Sequence, residues 1–303
     1  MMPLIRKGAP IAVVAPCGVH DPARLARGLD IVRSFGHTIE VYPDLLQPVR
    51  YLASSDDHRV EQLSHALASR DHAAVWIARG GYGLTRILSR IDPATVTPKV
   101  VIGFSDVTAL FARLHAVMSS SGMSSSGMSS SGGATLVHGP VVHSLPITDP
   151  GAIEHLFALL AGEDPEPMDA EVYVPGTASG PLIGGNLALL AALCGTPWQV
   201  DVRGAIVVIE EIGEAPYRID RMLQQLIDAG GLAGAVGLAF GEFSGCEPPD
   251  GASWTLRDVL VDQVGRLGIP VIAGLPIGHG ARNRPFRWGA PGAITASGLT
   301  FGA

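Results

Sequence analysis

Short apolar segments rich in β-branched residues alternate with helical patterns through the first 140 residues of the chain. The predicted strands are Ile11–Ala15, Thr38–Val41, Ala74–Ala78, Val100–Gly103 and Thr135–His138. Between them lie predicted helices, the first with Asp21 as its N-cap and Pro22 in its first turn. Strands that alternate with helices form parallel βαβ units with right-handed crossovers. The pattern therefore predicts a doubly wound α/β domain.

The second half of the chain has a different pattern. A predicted helix near 152–160 is followed by an acidic, proline-containing stretch, which marks a domain boundary. We predict an N-terminal domain at 1–148, a linker at 149–172 and a C-terminal domain at 173–303. The C-terminal elements predicted are helices at 187–193 and 217–229 and strands at 205–209, 236–240, 271–273 and 292–295.

Composition limits the classes of partner. Charged residues make up 16% of the 303 residues, below the usual share of about 25%, which excludes a solvated, disordered chain. The formal net charge is −7 and the basic residues are scattered, so nucleic acid is not an expected partner. Three widely spaced cysteines predict reduced thiols and a cytoplasmic location. The longest apolar runs are shorter than a membrane span requires, so no membrane partner is expected.

The strongest candidate for chemistry is Ser105, which follows the apolar strand Val100–Gly103 and immediately precedes a predicted helix. A serine at such a turn lies at the carboxyl end of the sheet, near helix N–H groups that can stabilise an oxyanion. The motif is half of G-x-S-x-G, since Val107 replaces the second glycine. An ordinary N-cap serine is the alternative interpretation.

A serine nucleophile needs a base and an acid that orients it. Glu210 follows an apolar strand, and His279 lies in the glycine-flanked loop after another. His138, at the end of strand 135–138, is the rival base. Cys17 is a rival nucleophile, although a buried small hydrophobic residue is the simpler interpretation. Glu210 and the adjacent Glu211 could instead be a solvated strand end or a contact to a helix terminus.

A glycine-rich loop, Arg79-Gly80-Gly81-Tyr82-Gly83, follows the third predicted strand. Its backbone N–H groups can approach a ligand closely, so this loop is predicted to supply a second oxyanion donor beside the amide of Asp106. The loop does not match G-x-G-x-x-G, which disfavours a dinucleotide, and a tight turn without a ligand is the alternative. HExxH, paired C-x-x-C and aspartate clusters are absent from the sequence, so no metal or other cofactor is predicted.

The segment 118–132 repeats Met-Ser-Ser-Ser-Gly three times. Such a composition is typical of a flexible loop. The preceding predicted helix, 106–118, would be about 20 Å long and would carry this loop to the end of the sheet opposite Ser105. The repeat is therefore not expected to act as a lid.

Several motifs in order resemble the LD-carboxypeptidases, the serine peptidases typified by muramoyltetrapeptide carboxypeptidase. The resemblance runs through nearly the whole chain. It rests on Val13-Val-Ala-Pro16, Ala78-Arg-Gly-Gly-Tyr-Gly83, Gly103-Phe-Ser-Asp106, His138-Gly-Pro140, Gly184-Gly-Asn-Leu187, Ile209-Glu-Glu-Ile-Gly-Glu214, Tyr217-Arg218, Arg221-Met-Leu223 and Leu275-Pro-Ile-Gly-His279. The Met-Ser-Ser-Ser-Gly repeat departs from the family pattern.

The resemblance implies a Ser105-Glu210-His279 triad, and our hypothesis from the residues adds the amides of Asp106 and Gly81 as the oxyanion donors. It also implies an N-terminal Rossmann-like (flavodoxin-like) parallel sheet domain, a C-terminal α/β domain with its own sheet, and a homodimer. The implied reaction removes the terminal D-Ala from a muropeptide tetrapeptide in cell-wall recycling.

An exopeptidase must bind a free carboxylate, and Arg218, Arg282 and Arg284 are candidates for that contact. The alternative within the family is the microcin-C self-immunity branch, which cleaves an acyl-adenylate-like antibiotic with the same triad. A peptide-binding protein that has lost turnover is the alternative outside enzymes, and the presence of all three triad residues disfavours it.

Overall fold

The chain divides into two units, each with its own sheet. The computed structural model describes residues 2–120 and 133–302. The first unit comprises Met1–Asp164 with Arg284–Arg287, and the second comprises Pro165–Asn283 with Trp288–Ala303.

The division after Asp164 falls within residues 149–172, where the sequence predicts a linker; residues 150–160 of that stretch form a helix of the first unit. The domain limits 1–148 and 173–303 stay predictions. Residues 121–132, which hold most of the Met-Ser-Ser-Ser-Gly repeat, lie outside the described residues, and so does the prediction of a flexible loop there.

Five strands alternate with five α-helices in the described part of residues 10–160. In chain order they are β1 Pro10–Val14, α1 Pro22–Ser34, β2 Thr38–Val41, α2 Asp56–Ala68, β3 Ala74–Ile77, α3 Leu84–Ile87, β4 Val100–Gly103, α4 Val107–Ser120, β5 Thr135–His138 and α5 Pro150–Leu160. Local signals explain several boundaries. The Arg24 N–H donates to Asp21 Oδ1 at 2.6 Å, so Asp21 is the N-cap of α1 as predicted.

These strands form a parallel sheet in the order β2-β1-β3-β4-β5. This is the flavodoxin-like order, so the predicted doubly wound α/β class is confirmed. Strands β3 and β4 are buried along their whole length, as their apolar sequences require. Sheets of this kind bind ligands beyond the carboxyl ends of their strands. At that edge, the loops after β1, β3 and β4 carry Cys17, Gly80 and Ser105.

The second unit is built on its own sheet. In chain order its elements begin with β6 Met168–Asp169, β7 Glu171–Val174, β8 Ala178–Asn186, α6 Leu187–Leu193, β9 Ile206–Ile212, α7 Pro216–Asp228, β10 Gly237–Ser244, α8 Leu256–Val264 and β11 Val271–Ala273. The central strands β8, β9, β10 and β11 are parallel. Helix α7, predicted at 217–229, buries Ile219, Leu223 and Leu226 on one face.

The last strands of the chain divide between the two units. Strand β12, Phe286–Arg287, pairs antiparallel with β5 and so extends the sheet of the first unit. Strands β13, Pro291–Ile294, and β14, Gly298–Phe301, complete the second sheet in the order β6-β14-β13-β8-β9-β10-β11-β7. Across the described residues, the helices are too short or too polar to cross a bilayer.

Candidate active site

Ser105 lies in a strained turn between β4 and α4. Its φ is +64°, in the left-handed region that residues other than glycine rarely adopt and that costs about 1–3 kcal/mol. An N-cap serine has an extended backbone instead, so this geometry favours a nucleophile elbow. Gly103 permits the sharp turn, because a Cβ at that position would lie 2.8 Å from a side-chain carbon of Val107.

The glycine loop after β3 comes into contact with Ser105. A Cβ built on Gly80 would lie 3.0 Å from Ser105 Cβ and 3.2 Å from its Oγ, so a larger residue would crowd the serine. The carbonyl of Gly80 accepts the N–H of Gly18 at 3.1 Å. Because C=O and N–H point in opposite directions across a trans peptide, the Gly81 N–H is directed away from Gly18. The oxyanion role of Gly81 stays a prediction.

Asp106 follows the serine, and its side chain is fully buried. Its Oδ2 accepts the N–H of Leu84 at 2.9 Å. Burial raises the pKa of Asp106 to about 6, against the lowering effects of the Leu84 N–H, Cys17 and Arg59. The amide of Asp106 is the predicted oxyanion donor, and its carboxylate has a separate, structural contact.

The Asp106→Asn variant is expected to lose a pH dependence of stability. The folded-state pKa, about 6, exceeds the ordinary value of 3.8, so the stabilisation from protonation is present below about pH 3.8 and is lost as pH rises through 6. The loss amounts to about 3 kcal/mol. Asparagine does not ionise, so the variant should gain stability relative to wild type between pH 4 and pH 7.

Urea unfolding of both proteins at each pH unit from 4 to 8 measures this difference. Asp57→Asn is the matched control, because the Asp57 side chain is 88% exposed. Unfolding free energies of wild type and Asp106→Asn that differ by the same amount at every pH would contradict the prediction.

Both rival groups, Cys17 and His138, are buried. Cys17 is fully buried, and burial together with the charge of Asp106 raises the pKa of its thiol well above its ordinary value. A high pKa disfavours the thiolate that a nucleophile needs. His138 is also fully buried; its ring stacks on Phe286 at a centroid distance of 4.8 Å and meets Phe104 edge-on at 6.0 Å.

In the second unit, Glu210 and His279 form a hydrogen-bonded pair. Glu210 lies in β9, towards its carboxyl end, and its side chain is fully buried. His279 Nδ1 lies 2.6 Å from Glu210 Oε2, and the imidazole is 14% exposed. A carboxylate can only accept here, so Nδ1 carries the proton and Nε2 is left as the base.

The pKa of His279 reflects opposing effects. Burial by itself lowers this pKa, but the hydrogen bond and charge of Glu210, helped by Glu211, outweigh burial and raise the pKa above 6.5. The pair thus stabilises the imidazolium that forms when the base takes a proton.

A glycine and the amide side chain of an asparagine allow the His279 loop to pack against Glu210. Gly278 has φ +128°, and a Cβ there would lie 2.9 Å from both Cβ and Oε2 of Glu210. The N–H of Gly278 donates to Oδ1 of the buried Asn283 at 3.1 Å. Strand β10 has a register shift at Gly241–Glu242, where the Glu242 N–H donates to Ile277 O at 2.8 Å.

The adjacent Glu211 makes a different set of contacts. It accepts from Asn186 Nδ2 at 2.9 Å and from the Ala188 N–H, in the first turn of α6, at 2.8 Å. Burial raises the pKa of Glu211, against the effect of these donors. Glu211 therefore has the helix-terminus contact considered from the sequence, and Glu210 does not.

The three candidate arginines have different surroundings. Arg218, in the first turn of α7, pairs with Glu214 at 3.3 Å and is 51% exposed. Arg282 lies 3.4 Å from Glu242 and is 64% exposed. Arg284 is half-buried and belongs to the first unit.

Sequence reasoning did not identify Arg59, which is fully buried in α2. Its guanidinium donates to the carbonyls of Pro16 and Gly83 and to Asp56 Oδ1. Asp56 also accepts from Arg86 Nη2 at 2.6 Å, and these arginines lower its pKa to about 2. The i, i+3 spacing of Asp56 and Arg59 was the available signal.

The predicted site residues are thus distributed over both units. Ser105 and Asp106 lie beside the glycine loop that contains Gly81 in the first unit, and Glu210 and His279 come together in the second.

Comparison with known proteins gives matches in both halves. A family model described as the LD-carboxypeptidase N-terminal domain matches residues 11–124, and one described as the LD-carboxypeptidase C-terminal domain matches residues 179–294. A Synechocystis protein named as a carboxypeptidase is 38% identical over 92% of this chain and 89% of its own length. A murein tetrapeptide carboxypeptidase of Pseudomonas aeruginosa is 31% identical over 82% of this chain and 81% of its own.

Solved structures share the fold. A crystal structure of muramoyltetrapeptide carboxypeptidase from Oxalobacter formigenes has a TM-score of 0.79 at 29% identity and covers 97% of this chain and 99% of that one. The microcin C7 self-immunity protein MccF, solved in complex with aspartyl sulfamoyl adenosine, has a TM-score of 0.84 at 17% identity and covers 100% of this chain and 98% of that one. At that identity the second likeness shows the fold alone.

Proposed function

Because the chain belongs to the LD-carboxypeptidase family and is a serine carboxypeptidase, we propose that it removes the terminal D-Ala from muropeptide tetrapeptides in peptidoglycan recycling. The observation that carries the substrate class is the 31% identity to a murein tetrapeptide carboxypeptidase over most of both chains. The muramoyltetrapeptide carboxypeptidase of known structure, at 29% identity over nearly the whole chain, supports the same class.

In the proposed mechanism, Ser105 is the nucleophile, His279 the general base and Glu210 the acid that orients it. Nε2 of His279 takes the hydroxyl proton as Ser105 Oγ attacks the carbonyl of the L-to-D peptide bond. The amides of Asp106 and Gly81 hold the oxyanion. His279 then protonates the leaving D-Ala, and water, deprotonated by the same imidazole, releases the acyl-enzyme. The Glu210–His279 hydrogen bond of 2.6 Å supports this assignment of roles.

The free carboxylate of the substrate requires a cation. Arg218, Arg282 and Arg284 remain the candidates, and the first two are paired with carboxylates that a substrate would have to displace.

We also propose a cytoplasmic location. The absence of disulfides among Cys17, Cys194 and Cys246 supports a reducing compartment. A homodimer is proposed on the resemblance alone, and light scattering of the purified protein tests it.

The substrate is tested by incubating the purified protein with a muropeptide tetrapeptide and quantifying free D-Ala. The same protein is incubated with an aspartyl adenylate analogue that carries a cleavable amide, since MccF shares the fold and is solved with an aspartyl sulfamoyl adenosine. We expect D-Ala release and no turnover of the nucleotide. Turnover of the nucleotide alone would favour the self-immunity reaction. Binding of the tetrapeptide without turnover would favour a catalytically silent binding protein.

A further inference from the structure

In the first unit, the peptide group between Gly83 and Leu84 is hydrogen-bonded on both sides by buried charged side chains. Its carbonyl oxygen accepts from Arg59 Nη1 at 3.0 Å. Its N–H donates to Asp106 Oδ2 at 2.9 Å. Both Arg59 and Asp106 are 0% exposed. The last peptide of the glycine loop is therefore fixed in orientation by an arginine from α2 and a carboxylate from the elbow.

The glycine loop has no side chain at position 83, which leaves room for the guanidinium of Arg59. Gly83 has φ +145°, and a Cβ at that position would lie 2.6 Å from Arg59 Nη1. Helix α3 begins after Gly83, which has no side chain to cap it. The first N–H groups of a helix lack partners within the helix, and here Asp106 supplies one. The carboxylate thus replaces the missing cap from another part of the chain.

The same two side chains connect the loops that converge on Ser105. Arg59 also donates to the carbonyl of Pro16, in the loop after β1. The loop after β3 is held through Gly83, and Asp106 is itself part of the turn after β4. Buried charged side chains are costly to desolvate, so Arg59 and Asp106 are not expected to add much net stability. What these two side chains can do is fix the positions of the loops after β1, β3 and β4.

We propose that Arg59 and Asp106 act as a clamp on the Gly83–Leu84 peptide and thereby set the position of the Gly81 amide in the oxyanion hole. Both are positioning residues for that amide. The inference rests on the proposed function, since it takes Ser105 as the nucleophile and Gly81 as an oxyanion donor. An oxyanion donor is effective only within a narrow range of distances, and a misplacement of 1 Å can cost roughly 10²-fold in rate.

Two substitutions at Asp106 separate the clamp from a general effect on folding. Asp106→Ala removes the acceptor for the Leu84 N–H, and it should lower kcat by roughly 10²-fold with KM changed by less than about 3-fold. Asp106→Asn keeps an oxygen that can accept this N–H, and it should retain kcat within about 10-fold of wild type. Arg59→Lys keeps the charge but lacks the planar guanidinium that contacts Pro16, Gly83 and Asp56 together, so it should lower kcat with KM unchanged.

Lys99→Met is the matched control. Lys99 is a buried cation of the same unit that donates to the carbonyls of Ala66 and Ser69 at 2.6 and 2.7 Å, away from the glycine loop. It should lower the unfolding midpoint in urea and leave kcat within about 3-fold of wild type. If Asp106→Ala fails to fold, the clamp is tested by comparing kcat of Arg59→Lys with kcat of Lys99→Met.

A second readout does not depend on the peptide substrate. The rate at which a fluorophosphonate modifies Ser105 depends on the same nucleophile and oxyanion donors, and it should fall in Asp106→Ala and Arg59→Lys but not in Lys99→Met. A wild-type protein that reacts with the fluorophosphonate but releases no D-Ala overturns the proposed substrate and leaves the clamp to be judged on the phosphonylation rates. The clamp is overturned if Asp106→Ala keeps wild-type rates, if Asp106→Asn is as impaired as Asp106→Ala, if the loss appears in KM, or if Lys99→Met is equally slow.

Discussion

Ser105→Ala and His279→Ala should each lower the release of D-Ala from a muropeptide tetrapeptide by roughly 10⁴- to 10⁶-fold. Alanine at 105 removes the atom that would form the acyl-enzyme. Alanine at 279 removes the base that activates it, and a neutral serine is a weak nucleophile. Because members of a triad act as a unit, the double variant should be about as slow as the slower single variant.

The measurement is kcat/KM for D-Ala release, with unfolding in urea recorded for every variant. Ser144→Ala is the matched control, since the Ser144 hydroxyl belongs to the first unit and donates to Val141 O at 2.8 Å. It should keep kcat/KM near that of wild type. A folded Ser105→Ala protein with more than about a hundredth of wild-type activity would exclude Ser105 as the nucleophile, because residual catalysis without the nucleophile is far smaller.

Glu210→Gln should lower kcat by roughly 10⁴-fold and move the acid limb of the pH profile to lower pH. In wild type, the charge of Glu210 outweighs burial and raises the pKa of His279 above 6.5, so activity is lost as pH falls through that raised value. In the variant, the neutral amide no longer counteracts the effect of burial on the imidazole. The pKa of His279 therefore falls. The remaining activity should therefore extend to lower pH.

Glu211→Gln separates this effect from the loss of any nearby carboxylate. Glu211 adjoins Glu210 in β9 but bonds Asn186 and the Ala188 N–H instead of the imidazole. Its substitution should move the acid limb less and leave most of the activity. Profiles of kcat/KM from pH 5 to 9 check both variants. An unshifted acid limb in Glu210→Gln would show that the group titrating in that limb is not His279.

Much of the first unit follows from its sequence, because strand and helix signals there are local. Strands β2, β4 and β5 have the predicted limits, and α1 begins at its predicted N-cap. In the second unit, five of the nine residues of β8 are glycine, proline or asparagine, and its strand character comes from pairing with β9 and β13. Helix α8 had a readable signal that was missed, the capping box formed by Thr255 and Asp258.

The candidate site shows the same division between local and distant information. Ser105, Glu210 and His279 could be selected because each comes at or after the end of an apolar segment of the sequence. The prediction that Glu210 follows its strand is wrong in detail, because the pairing with β10 extends β9 to Ile212. The left-handed backbone of Ser105 and the contact of Gly80 with its Oγ depend on packing between loops that are distant in sequence. Arg59 could not be connected to the glycine loop, because nothing local indicates that an arginine of α2 donates to Gly83. The oxyanion roles of Asp106 and Gly81 and the catalytic roles of the triad stay predictions until the variants are measured.

Strand β12 determines when the first unit can complete its sheet during synthesis. The sheet of the first unit ends at β5 until Phe286 and Arg287 pair with it, and Phe286 also supplies the ring that stacks on His138. On the ribosome, nearly all of the second unit emerges before that strand exists. An unpaired strand edge can add a strand from another chain, so a nascent or truncated chain that ends near Asp164 should be prone to aggregation. The unit that carries Ser105 thus becomes complete only after residues Pro165–Asn283 of the second unit have been synthesised.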